Sequence, residues 1–262
     1  MEYSHHTESI RNVAAYFQRL PEVAALLLGG SIAHGFAGES SDVDVMILVS
    51  DDHYAERFRN GELTFFNREL CTYPEGFVDG KFMRVGFLDQ VAEKGSEPAR
   101  FAFLDARVLF SRLDRLDATL REIVRYPSAG RTERMRRFRA QLDAWHWYSH
   151  EALKRNNRYL LSVALGRLVL FGGRLILAHN EVLYPYHKWF LEVLGRVEDK
   201  PAGLFDLIAG LHDDPSGATV DAFYETVRDF ADWPAPATGW GNQFMLDSEL
   251  NWLNGSTPVD DL

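Results

Sequence analysis

Cysteine is nearly missing from this chain. Cys71 is the single one among 262 residues, which excludes an internal disulfide framework and any four-cysteine zinc centre. Positive charge is also short. Lys and Arg number 28 against 38 Asp and Glu, for a net charge of −10. Nonspecific nucleic-acid binding rests on neutralising phosphates, so nucleic acid is not the expected partner. The acidic balance suits a cationic small substrate better. No apolar run reads as long and clean enough for a membrane span: the best, 159–178, is interrupted by Arg167, Gly172, Gly173 and Arg174. The start, Met1-Glu-Tyr-Ser-His-His, lacks the basic and apolar regions of a secretory signal. No membrane partner is expected, and a cytoplasmic location is. Internal repeats and low-complexity tracts are absent too.

What is present is an ordinary globular composition, 46% hydrophobic, in a chain long enough for one large domain or two small ones. Its two halves differ. Apolar spacing predicts a helix over 7–20, then strand 24–28, helix 31–37 and strand 43–49. Helix 53–60, strands 63–66 and 76–85, helices 89–94 and 98–103, and strand 107–110 follow. From residue 113 onward strand signals vanish. Helices are predicted over 116–125, 132–155, 159–179, 186–195, 202–211 and 220–233. The segment Tyr126-Pro127-Ser128-Ala129-Gly130 breaks this series. The reading is α+β, with a head over 1–125 and an all-α helical-bundle domain over 126–262.

The most informative stretch is Leu26-Leu27-Leu28-Gly29-Gly30-Ser31, followed by Ser41-Asp42-Val43-Asp44 and the apolar run 45–49. On a strand, positions i and i+2 point to one face, so Asp42 and Asp44 place two carboxylates side by side. Adjacent anions repel unless a cation lies between them. Hard divalent cations take oxygen ligands and retain water and substrate phosphates. The glycines allow a close approach of backbone to ligand, and N–H groups opening a helix favour anions.

Gly30, Ser31, Asp42 and Asp44, with the Ser41-Asp42 start, resemble the signature of the DNA polymerase β-like nucleotidyltransferase superfamily over the first half of the chain. That resemblance implies a head with a short mixed β-sheet backed by helices. It implies one or two Mg2+ ions, with Mn2+ as substitute, on Asp42 and Asp44, and a nucleoside triphosphate cradled by Gly30, Ser31 and Ser41. It also implies a third carboxylate on a neighbouring strand. Asp79, flanked by apolar residues, is the first choice; Glu75 and Asp89 compete. Glu75 reads as a turn residue and Asp89 as the cap of the helix after Leu88. Asp79-Gly80 is also a hairpin signal, which stays open as an alternative. Asp79 would complete the metal site or take the proton of the acceptor hydroxyl.

In the second half, the segment from Leu177 to Trp189, with Asn180, Pro185 and Lys188-Trp189, is similar to the helical domains of small-molecule, antibiotic-type nucleotidyltransferases. Pro185 suits a helix start. Lys188 in that first turn would oppose the dipole and so calls for an anionic partner, the triphosphate or the acidic cluster. The resemblance implies transfer of a nucleoside monophosphate to a hydroxyl of an aminoglycoside- or lincosamide-like antibiotic, with pyrophosphate released. The alternatives are a protein or RNA acceptor, or a non-catalytic nucleotide-binding or antitoxin module. A homodimer is left open.

Other features read as structural. Trp145 to Tyr148 suit an inter-helix core. His146 and His150 share a helix face at metal-ligand spacing, but the sequence offers no third ligand. Arg139 and His146 match the loose Arg-x6-His spacing of helical ribonuclease toxins. Arg131, Arg134, Arg136, Arg137 and Arg139 read as a solvated basic face. His34 shapes the loop after Ser31. The loop 233–240 has no chemistry that decides its role.

Overall fold

The computed structural model describes residues 3–255. The chain divides at Arg125/Tyr126 into two compact units.

The first unit is a mixed five-stranded sheet with helices. Its strands are β1 (Val23–Leu28), β2 (Val43–Val49), β3 (Thr64–Asn67), β4 (Val78–Arg84) and β5 (Arg107–Ser111), in spatial order β3-β4-β2-β1-β5. Only β2 and β4 run parallel; the other neighbours are antiparallel. The helices are α1 (Ser4–Gln18), α2 (Gly30–Ala33), α3 (Asp51–Asn60), α4 (Gly86–Lys94), α5 (Glu97–Phe101) and α6 (Leu116–Ile123).

The continuous apolar runs of β1 and β2 are explained by burial on both sides. On one face Ile10, Val13 and Phe17 of α1 pack against Leu26, Leu28, Val45, Ile47 and Val49. On the other, Ala25, Leu27, Met46 and Leu48 pack with Leu88, Val91, Leu116 and Ile123. Strand alternation therefore sets Asp44 on the Met46 and Leu48 side.

Asp79-Gly80 lies within β4, in agreement with the strand expected over 76–85, and the hairpin alternative falls away. Gly80 is small because a side chain there would meet Ile47 Cδ1 at 2.9 Å and Phe65 Cβ at 3.0 Å. Asp89 caps nothing. Helix α4 begins three residues earlier, at Gly86, so Asp89 is an exposed residue of its first turn.

The second unit is helical, with α7 (Arg131–Lys154), α8 (Arg158–His179), α9 (Phe190–Arg196), α10 (Leu204–Asp213), α11 (Gly217–Arg228) and α12 (Trp240–Phe244). A π-turn, Met245–Glu249, and a 3-10 turn, Asn251–Asn254, follow. Asn157 caps α8, accepting from Leu160 N–H at 3.1 Å, and a Ser216–Thr219 capping box opens α11. Contrary to expectation, α8 is long and apolar enough to cross a membrane by length and composition, because an 18-residue window within it keeps a mean hydropathy of 1.8. Half of that window is buried within the unit. Its adjacent glycines 172 and 173 are contact points: a side chain on Gly172 would meet Phe223 at 2.9 Å, and one on Gly173 would meet Phe190 at 2.3 Å.

The helix expected from 186 begins instead at Phe190. Tyr186 has φ 68, a left-handed conformation that cannot continue a helix. Lys188 therefore sits in the turn before α9, and the opposition to a helix dipole does not arise.

Candidate active site

The carboxylates are positioned by strand pairing. Asp44 and Asp79 are direct partners across the parallel β2–β4 pair, between Val43/Val78 and Val45/Gly80. Paired residues on neighbouring strands share a face, with strands about 4.7–4.9 Å apart. Asp42 immediately precedes β2, and the pairing is already anchored there by Val43 N–H donating to Phe77 C=O at 3.0 Å. All three acids are half-buried. The sheet thus brings Asp42, Asp44 and Asp79 to one strand end.

It does not bring Asp89 there. Asp89 lies beyond the opposite end of β4, roughly 20 Å of strand away at 3.3 Å per residue. Glu75 is an exposed turn residue with φ 60.

The glycine turn is fitted against Asp44. Gly29 N–H donates to Asp44 C=O at 3.0 Å, joining the turn to β2 through backbone. Gly30 has φ +63, and a Cβ on it would lie 1.8 Å from Asp44 Oδ2. Only glycine fits there, for both reasons. The next residue, Ser31, is 5% exposed, and its Oγ is buried without a hydrogen-bond partner among the described residues. A buried hydroxyl left unpaired is costly. The N–H groups of Gly30, Ser31 and Ile32 open α2, where no intrahelical acceptor exists. An all-carboxylate donor set beside such a turn fits a hard divalent cation of the Mg2+ type.

Ser41 has a different surrounding. Its hydroxyl accepts from Gly38 N–H at 3.0 Å, and its carbonyl accepts from Tyr73 O–H at 2.5 Å. Burial pushes the Tyr73 phenol well above its ordinary range, so it remains a donor. Tyr73 thereby holds the loop before Asp42, and Gly76 makes room for its ring. No sequence signal marks Tyr73 for this role. His34 closes the other side of the turn. It is buried, stacks on Phe101 with centroids 4.7 Å apart, and meets Asp105 at 3.5 Å. Burial lowers its pKa, against the opposing pull of Asp105.

Lys188 belongs to the second unit, exposed, with its ammonium 5.0 Å from the Trp189 ring centre. The basic stretch of α7 is more engaged than a solvated face. Arg131 donates to Ala178 C=O at 2.8 Å and His179 C=O at 2.9 Å, closing the end of α8. Arg134 donates to Pro127 C=O at 2.6 Å. Arg136 pairs with Glu133, Arg137 with Asp247 at 2.8 Å and Arg139 with Asp143 at 3.0 Å. Trp233, in the loop before α12, is buried and donates to Val227 C=O at 2.7 Å.

Residues 10–95, within the head, match the family described as "Nucleotidyltransferase domain". Residues 96–190 match "Domain of unknown function (DUF4037)". No curated protein matches the chain. Among solved structures, a nucleotidyltransferase-like protein from Exiguobacterium sibiricum 255-15 is similar at 10% identity and a TM-score of 0.48, over 98% of this chain and 83% of that one.

Proposed function

We propose that this protein is a Mg2+-dependent nucleotidyltransferase that moves a nucleoside monophosphate from a triphosphate such as ATP to a hydroxyl of a small molecule. Aminoglycoside- or lincosamide-like antibiotics are the acceptor class, which would make the protein a resistance enzyme. The observation that carries this reading is the pairing of Asp44 with Asp79 beside a glycine whose missing side chain leaves room for the Asp44 carboxylate.

Asp42 and Asp44 would hold a divalent cation, whose chemistry when bound would be to neutralise charge on the triphosphate. Ser31 Oγ and the N–H groups from Gly30 to Ile32 bind the phosphate oxygens. Asp79 accepts the proton of the acceptor hydroxyl as its oxygen bonds to the α-phosphorus. The bond from that phosphorus to the bridging oxygen breaks, and pyrophosphate departs with the electron pair. Tyr73 and His34 keep the flanking loops in place. The net charge of −10 suits a cationic acceptor, and a cytoplasmic location fits this chemistry.

The test is pyrophosphate release from each of the four ribonucleoside triphosphates with Mg2+, over a panel of hydroxylated antibiotics. Acceptor-dependent release that disappears in Asp44→Asn is expected. Release that persists in Asp44→Asn overturns the assignment of the site, and release with a protein or RNA acceptor alone overturns the acceptor class.

A further inference from the structure

The second unit holds a cluster with no part in the chemistry above. His146 and His150 are one helical turn apart on α7, and Asp221 projects from α11. The Nε2 atom of His146 is 2.7 Å from Asp221 Oδ1, and that of His150 is 2.8 Å from the same oxygen. One ligand atom from each of the three residues lies within 4.8 Å of the other two. The sequence supplies the His-x3-His pair but gives no hint of its companion, which is 71 residues beyond His150.

We infer that His146, His150 and Asp221 form a binding site for a Zn2+-type cation that ties α7 to α11, with its remaining coordination position open to solvent. Two imidazoles and a carboxylate are the donor set of three-ligand zinc sites. Imidazole nitrogen selects borderline metals such as Zn2+ over Mg2+, which prefers oxygen. The site is thus chemically distinct from the all-carboxylate end of the head.

Geometry supports the reading in three ways. The His146 ring is pinned: it stacks on Tyr224 with centroids 3.9 Å apart and planes 15° from parallel. Tyr224 O–H in turn donates to Asp143 at 2.8 Å, and Asp143 is gripped by Arg139 at 3.0 Å. Such outer partners orient metal-binding rings. Second, the three side chains are partly exposed, at 25%, 39% and 47%, so an ion can reach them. Third, the required movement is small. Ligand atoms around tetrahedral zinc lie roughly 3.3 Å apart for bonds of about 2.0–2.1 Å. Withdrawing the half-exposed Asp221 carboxylate by about half an ångström would open that space. Binding would replace the two Nε2···Oδ1 contacts with metal bonds, each imidazole binding as the neutral ring through an unprotonated Nε2 with its one proton on Nδ1.

The test uses the full chain, stripped with chelator and held in excess Mg2+. Zn2+ is titrated by calorimetry, and metal content is measured after dialysis. We expect one tightly held Zn2+ per chain, a rise in Tm on binding, and tetrahedral-type visible bands when Co2+ is substituted. His150→Ala and Asp221→Asn should each weaken binding by roughly tenfold or more, with far-UV circular dichroism unchanged. His146→Gln provides a second variant should His150→Ala fail to fold. No tightly held Zn2+ in the wild type, or equal affinity in the variants because His5 and His6 bind it instead, overturns the inference.

Discussion

Asp44 and Asp79 face each other across the single parallel strand pair of the head. Backbone pairing sets the two carboxylates on one face of the sheet, where a single cation could use both. Substitutions there test the site directly.

Replacing Asp42 or Asp44 with Asn should abolish transfer. An amide binds Mg2+ far less strongly, and loss of one stabilising contact to developing charge typically costs roughly a hundred- to a thousandfold. Because like charges are removed, Tm without ligand should stay level or rise. Steady-state pyrophosphate release and a thermal melt check the two halves of this expectation.

Gly30→Ala should impair both folding and binding. The added methyl meets the Asp44 carboxylate, and the residue must keep a left-handed backbone. Backbone strain of this kind costs about 1–3 kcal/mol, before the clash is relieved by displacing Asp44. Urea denaturation and calorimetric titration with ATP and Mg2+ provide the readouts; wild-type values in both would refute the cradle.

Asp79→Asn should lower kcat by about a hundred- to ten-thousandfold, the usual loss of a general base. Asp89→Asn, on the exposed face of α4, should leave kcat unchanged. A silent Asp79→Asn would remove Asp79 from the mechanism.

His34 should make stability pH-dependent. Burial lowers its pKa in the folded state below the 6.5 of an unfolded chain. The neutral form is then favoured by folding, so its contribution is complete above about pH 6.5 and declines as pH falls through that value towards the folded pKa. Tm should drop between pH 7 and pH 5, and His34→Gln should flatten that part of the profile. An unchanged profile in the variant would show that His34 is not the group responsible.

The strands and long helices were legible because their signals are local. Apolar runs such as 43–49 and the i, i+3, i+7 spacing of Ile10, Val13 and Phe17 depend on nothing distant. The errors came where a single backbone angle or a distant partner decided the outcome. Pro185 advertises a helix start, but Tyr186 turns left-handed and delays it to Phe190. Asp79-Gly80 carries a turn signal as well as a strand signal, and only the pairing of β4 with β3 on one side and β2 on the other decides for the strand. The approach of Asp221 to His146 and His150, and of Tyr73 to Ser41, follows from tertiary packing that no window of sequence contains.

The parallel pairing also bears on how the head acquires its structure. Asp44 and Asp79 are 35 residues apart, and parallel strands cannot be joined by a tight hairpin. The chain must pass through α3 and β3 before β4 docks, so this contact closes a long loop and belongs among the slow steps of folding. Where like charges meet at its completion, refolding of the head should be quicker with Mg2+ present and quicker in Asp79→Asn than in the unmodified protein, which stopped-flow refolding would check. The register that sets Asp44 opposite Asp79 is thus completed only after the chain has passed through α3 and β3, so the candidate site is assembled late rather than locally.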